Sequence, residues 1–86
     1  MVYRLELSPA AIREGRRLPS SVKARVDEAM ARLADNPRPS GVRKLRGMDG
    51  YRLRVGDYRI LYTVDDNEQR VLVWRVMGRG SVYRAR

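Results

Sequence analysis

Hydrophobic positions along this chain follow three successive patterns. Met1-Val-Tyr-Arg-Leu-Glu-Leu7 alternates Tyr3, Leu5 and Leu7 against Val2, Arg4 and Glu6, which predicts a short strand with one buried face. Ser8-Pro9 then supplies a helix cap and a first helical residue whose missing N–H is no loss there, so a helix is expected to about Arg17. Leu18-Pro19-Ser20-Ser21 breaks it. From about Ser21 to Ala34, Val22, Val26, Ala29, Met30 and Leu33 recur at helical spacing, with Lys23, Arg25, Asp27, Glu28 and Arg32 on the other face. Asn36-Pro37-Arg38-Pro39 ends this second helix, because a residue before proline is pushed out of the helical region.

Beyond Pro39 the period changes to two. Val42 to Arg46 predicts a short edge strand, and Gly47-Met-Asp-Gly50 a turn. Tyr51, Leu53 and Val55 point inward against Arg52 and Arg54, and Gly56-Asp57 reads as a two-residue hairpin turn. Tyr58 to Val64 returns antiparallel, and Asp65-Asp66-Asn67-Glu68 turns the chain again. Arg70 to Met77 is a β-branched run around Trp74, expected to be the central, best buried strand with Trp74 in the core. The order β-α-α-β-β-β-β predicts an α+β fold: an antiparallel β-sheet of about four to five strands with the two N-terminal helices on one face. Residues 1–86 read as a single domain, without repeat or linker.

Composition narrows the chemistry. Cysteine and histidine are both absent, which removes disulfides, thiolate metal sites and the usual general base. No cofactor or metal is expected, and any reaction has to use Arg, Lys, Tyr, Ser, Thr, Asp or Glu. No apolar run approaches the roughly 20 residues of a membrane span, and the N-terminus lacks a signal-peptide core, so a cytoplasmic protein is expected. The net charge of +9 is unevenly placed: residues 1–37 carry seven basic and five acidic side chains, residues 38–86 twelve and five. Of the 19 basic residues 17 are arginine, whose planar fork grips phosphate with two hydrogen bonds. An arginine-rich solvated surface explains the total equally well; the spacing is more specific.

Arg52 and Arg54 lie two residues apart and so point to the same side of a strand. The Gly56-Asp57 turn brings Arg59 alongside them. Arg79 and Tyr83 follow the last strand, in a segment placed to fold back over the same face. Such a cluster would hold a phosphodiester and stabilise charge developing on phosphorus. Lys44, Arg46 and Arg84 are candidate RNA or ribosome contacts at its margin, although Lys44 and Arg46 read equally well as a solvated edge strand. Tyr51, Tyr58 and Tyr62 are expected in the core or at its rim.

Lys44-Leu-Arg-Gly47, Tyr51-Arg-Leu-Arg54, Tyr58-Arg59-Ile-Leu-Tyr62 and Gly78-Arg79…Val82-Tyr83-Arg84 together resemble the RelE/ParE toxin superfamily, over essentially the whole chain. Within it they resemble the RelE-type toxins of type II toxin–antitoxin pairs. The resemblance implies an mRNA interferase, an endoribonuclease that enters the ribosomal A site and cleaves the message by 2′-hydroxyl attack. It implies Tyr83 as general base, Arg79 as the arginine that stabilises the pentacovalent phosphate, and Arg59 as a second phosphate-binding arginine. Arg52 and Arg54 fall where RelE-type enzymes often have two lysines. Arginine keeps the charge there but gives up no proton, so the acid for the leaving group is left unassigned. A free phenol ionises at about pH 10, and neighbouring guanidiniums would lower that for Tyr83.

The implied partners are a cognate, usually acidic antitoxin, the ribosome and mRNA. The toxin–antitoxin complex is expected to be oligomeric and to bind operator DNA through the antitoxin. Two other readings stay open: a ParE-like inhibitor of DNA gyrase on the same fold, and a non-catalytic basic module that binds RNA or ribosome.

Overall fold

The computed structural model describes residues 3–78. Its elements are β1 (Arg4–Leu7), α1 (Pro9–Arg16), α2 (Ser20–Asp35), β2 (Arg43–Lys44), β3 (Tyr51–Val55), β4 (Tyr58–Asp65) and β5 (Arg70–Gly78). Each expected element forms within one to three residues of its predicted ends. Ser8 caps α1 as its sequence suggests: its hydroxyl accepts from the Ala11 N–H at 3.1 Å and donates to the Trp74 carbonyl at 2.8 Å. One side chain therefore both starts the helix and fastens it to β5. Gly56 adopts φ 60° in the β3–β4 turn, a backbone that glycine enters without a Cβ clash.

The five strands lie in the order β1-β5-β4-β3-β2. From β2 to β5 the pairing is antiparallel, as expected, but β1 runs parallel to β5, so the sheet is mixed. Periodicity identifies a strand without saying which neighbour it takes or in which direction. Here the two helices carry the chain away from β1, and the following meander returns β5 beside it.

Ala11, Val26, Met30 and Leu33 from the helices pack against Ile60, Tyr62, Val71, Val73 and Val76 from β4 and β5. The central strand is β4, with β5 next to it toward β1. Trp74 corrects an expectation, because it is half-buried and outside the core. Tyr62 pairs with Val73 and Leu61 with Arg75, so Trp74 is the extra residue of a β-bulge and loses its place in the inward alternation. No helix among the described residues is long and apolar enough to cross a membrane.

Candidate nucleic-acid interface

Cross-strand register decides which arginines meet. Residues directly opposite in an antiparallel ladder point to the same face. Leu53 pairs with Ile60 and Tyr51 with Tyr62, which fixes these positions on the helix-covered face. The alternate positions form the open face, where Arg54 stands opposite Arg59 and Arg52 opposite Leu61. The Arg52, Arg54 and Arg59 expected to cluster are therefore brought together on one side of the sheet. Arg59 in turn pairs with Met77 on β5.

A fourth arginine escaped the sequence reading. Arg43 pairs with Arg52, whereas Lys44 pairs with Tyr51. The open face thus carries two rungs of directly opposed arginines, Arg43–Arg52 and Arg54–Arg59. Lys44 and Arg46 join Arg43 and Arg52 in lining a shallow groove at the β2 edge. The missed signal was the ladder offset between β2 and β3, which depends on the length and shape of the Leu45–Gly50 turn. That turn closes through a hydrogen bond from the Leu45 N–H to the Gly50 carbonyl at 3.0 Å.

None of Arg43, Lys44, Arg46, Arg52, Arg54 and Arg59 makes an ion pair among the described residues. Several acidic groups pair with other arginines, two of them on this same face. Glu6 and Asp65 hold Arg70, Asp66 holds Arg38, and Glu14 holds Arg75. Directly opposed like charges destabilise a sheet, by about 0.2–1 kcal/mol per pair on the usual scale of cross-strand interactions. Two such pairs that make no ion pair among the described residues suit a face built to meet an anion. Helical arginines such as Arg13 and Arg16 also make no ion pair among the described residues, but no ladder holds them side by side.

Two neighbouring networks are structural. Glu14 of α1 reaches past the end of β1, accepting from the Val76 N–H at 2.7 Å and pairing with Arg75 at 2.7 Å. It thereby satisfies a backbone donor on the edge of β5 that β1 is too short to cover. At the opposite end of the sheet, Arg38 makes a two-toothed ion pair with Asp66 (2.9 and 3.2 Å) and donates to the Tyr51 hydroxyl at 3.0 Å. Tyr3 donates to the same carboxylate at 2.6 Å. Arg38, followed by Tyr3, holds the Asp66 carboxyl below the usual carboxylate range.

Tyr62 is fully buried, stacks on Tyr51 with ring centres 5.6 Å apart, and donates to the Pro37 carbonyl at 2.6 Å. Burial, with a smaller push from Tyr51, raises its phenol to about 12, so it stays neutral. As the pattern predicts, Tyr62 belongs to the core, with Tyr51 half-buried against it. Arg79, Tyr83 and Arg84 lie outside the described residues.

Known structures share this frame. A chain of the archaeal RelE–RelB complex from Pyrococcus horikoshii OT3 superposes with TM-score 0.83 at 30% identity, covering 93% of this chain and 98% of that one. The fold is RelE-like. In sequence, the mRNA interferase toxin RelE of Escherichia coli is 36% identical over 76 residues, 85% of this chain and 79% of that relative. The toxin RelE of Mycobacterium tuberculosis is 31% identical over 84 residues, 95% and 87% respectively. Residues 5–83 match the ParE toxin family of type II toxin–antitoxin systems, parDE, and the chain belongs to that family within the RelE/ParE superfamily.

Proposed function

We propose that this chain is a ribosome-dependent endoribonuclease that cleaves mRNA in the A site without a metal, and that a cognate acidic antitoxin neutralises it. The observation that carries this reading is the Arg54–Arg59 rung with Arg52 beside it, three arginines that make no ion pair among the described residues. The name of the Escherichia coli relative, an mRNA interferase, supports the same chemistry.

In the proposed step the Tyr83 phenolate takes the proton of a 2′-hydroxyl, and the freed oxygen attacks the adjacent phosphorus. The bond to the 5′-oxygen breaks, leaving a 2′,3′-cyclic phosphate on one fragment. Arg59 and Arg54 hold the non-bridging oxygens, Arg52 adds positive charge beside them, and Arg79 meets the charge that builds in the pentacovalent state. Arginine does not release protons near neutral pH, so the guanidiniums act by charge and the departing oxygen takes its proton from water. Each well-aimed donor is worth about 2.7–4 kcal/mol of barrier, and ribosomal positioning of the message supplies further acceleration. An acidic antitoxin segment would compete for the same arginines.

The test is primer extension on a defined message in a reconstituted translation system, comparing wild type with Arg59→Gln and Tyr83→Phe. Ribosome-dependent cuts within A-site codons, lost in both variants, would support the interferase. The family's ParE name keeps gyrase inhibition as the second reading. Absence of cuts together with a fall in gyrase supercoiling would favour it and overturn the first.

A further inference from the structure

Arg43 contributes to the open face only because of the β2–β3 register, which sets it opposite Arg52. Arg52 and Arg54 are two residues apart on β3, so the Arg43–Arg52 and Arg54–Arg59 rungs are separated by about 7 Å along the strand. That separation is close to the spacing of successive phosphates along one extended RNA strand. Two guanidiniums facing each other across a rung repel until an anion sits between them, when each donates to it and the repulsion becomes attraction. The Arg43–Arg52 rung also opens on the groove lined by Lys44 and Arg46, which leaves room for a backbone to enter.

We propose that Arg43 and Arg52 form a second phosphate subsite, holding the phosphate next to the one that is cleaved. The RNA strand then lies along β3, with successive phosphates on successive arginine rungs. The inference rests on the reading that Arg54 and Arg59 hold the scissile phosphate. Arg43 is a positioning residue here, since the phosphate it grips is not the one that reacts. The competing account is that Arg43 only charges an edge strand against pairing with other chains.

The experiment measures single-turnover cleavage of a defined message on programmed ribosomes, at subsaturating toxin. Wild type and Arg43→Gln are compared on the unmodified message and on two messages carrying a neutral methylphosphonate immediately 5′ or 3′ of the cleaved phosphate. Arg43→Gln should lower the rate on the order of tenfold, the usual scale for one hydrogen bond to a charged group. One of the two methylphosphonates should slow the wild type to a similar extent. Combined with Arg43→Gln, that modification should cost less than the product of the two separate losses, because both remove the Arg43 contact. Arg43→Lys, which keeps the charge, should recover part of the rate.

Wild-type rates in Arg43→Gln, or losses that multiply in the combination, would overturn the subsite while leaving the interferase intact. Insensitivity of the wild type to both methylphosphonates would do the same. A wild type that makes no cuts in the unmodified message would remove the underlying reading and the subsite with it.

Discussion

Arg54 stands directly across the β3–β4 ladder from Arg59, so two guanidiniums of like charge share one rung on the open face of the sheet. The fold tolerates this rung at some cost to stability, while binding of an anion turns it to use. Arg54→Gln should therefore raise stability by about 0.2–1 kcal/mol, measured by urea unfolding, while sharply reducing RNA cleavage. Added salt should stabilise the wild type more than the variant, because it screens the repulsion. A variant that loses both stability and cleavage would mean that Arg54 supports the fold.

Glu14 joins α1 to the uncovered end of β5 through the Val76 N–H and the Arg75 guanidinium. Glu14→Ala leaves that N–H without its acceptor and should cost about 1–3 kcal/mol. Hydrogen exchange at the Val76 amide should quicken more than at Val71, which pairs within the middle of the sheet.

Tyr62→Phe removes the bond to the Pro37 carbonyl and should cost about 1–2 kcal/mol in chemical denaturation. The wild type should also show a stronger alkaline dependence than the variant. The folded-state phenol is raised to about 12, so its contribution is fully present below the ordinary phenol pKa of about 10. That contribution is lost as pH rises through about 12. Phenolate absorbance followed alongside unfolding would reveal whether the two events coincide.

Asp66 carries the opposite sign. Its folded-state pKa lies below the unfolded value, so its contribution is present above about pH 4 and is lost as pH falls through the lowered pKa. Thermal midpoints measured from neutral to acid pH should drop less for Asp66→Asn than for the wild type in that range. The effect should be small and weaken in salt, since the Arg38–Asp66 pair is largely exposed.

Much of this fold was legible because local rules set it. Ser8-Pro9 opens a helix wherever it is followed by a helical apolar face, and Gly56-Asp57 turns a hairpin for reasons contained in the turn. Alternation along Tyr51–Val55 placed Arg52 and Arg54 on the face away from the core, and the hairpin carried Arg59 to them. These features involve neighbours within a few residues, so the order of residue types suffices to predict them.

Longer-range pairing decided the rest. The parallel union of β1 with β5 joins residues more than sixty positions apart, and nothing in either strand's alternation selects it. Trp74 lost its expected core position to a bulge that is visible only once β4 and β5 are in register. Arg43 and Lys44 are adjacent in sequence and similar in charge, and β2 alone does not say which of them joins the arginine face. The closing of the Leu45–Gly50 turn settles that choice for Arg43, because a one-residue slip in a ladder exchanges the two faces of a strand.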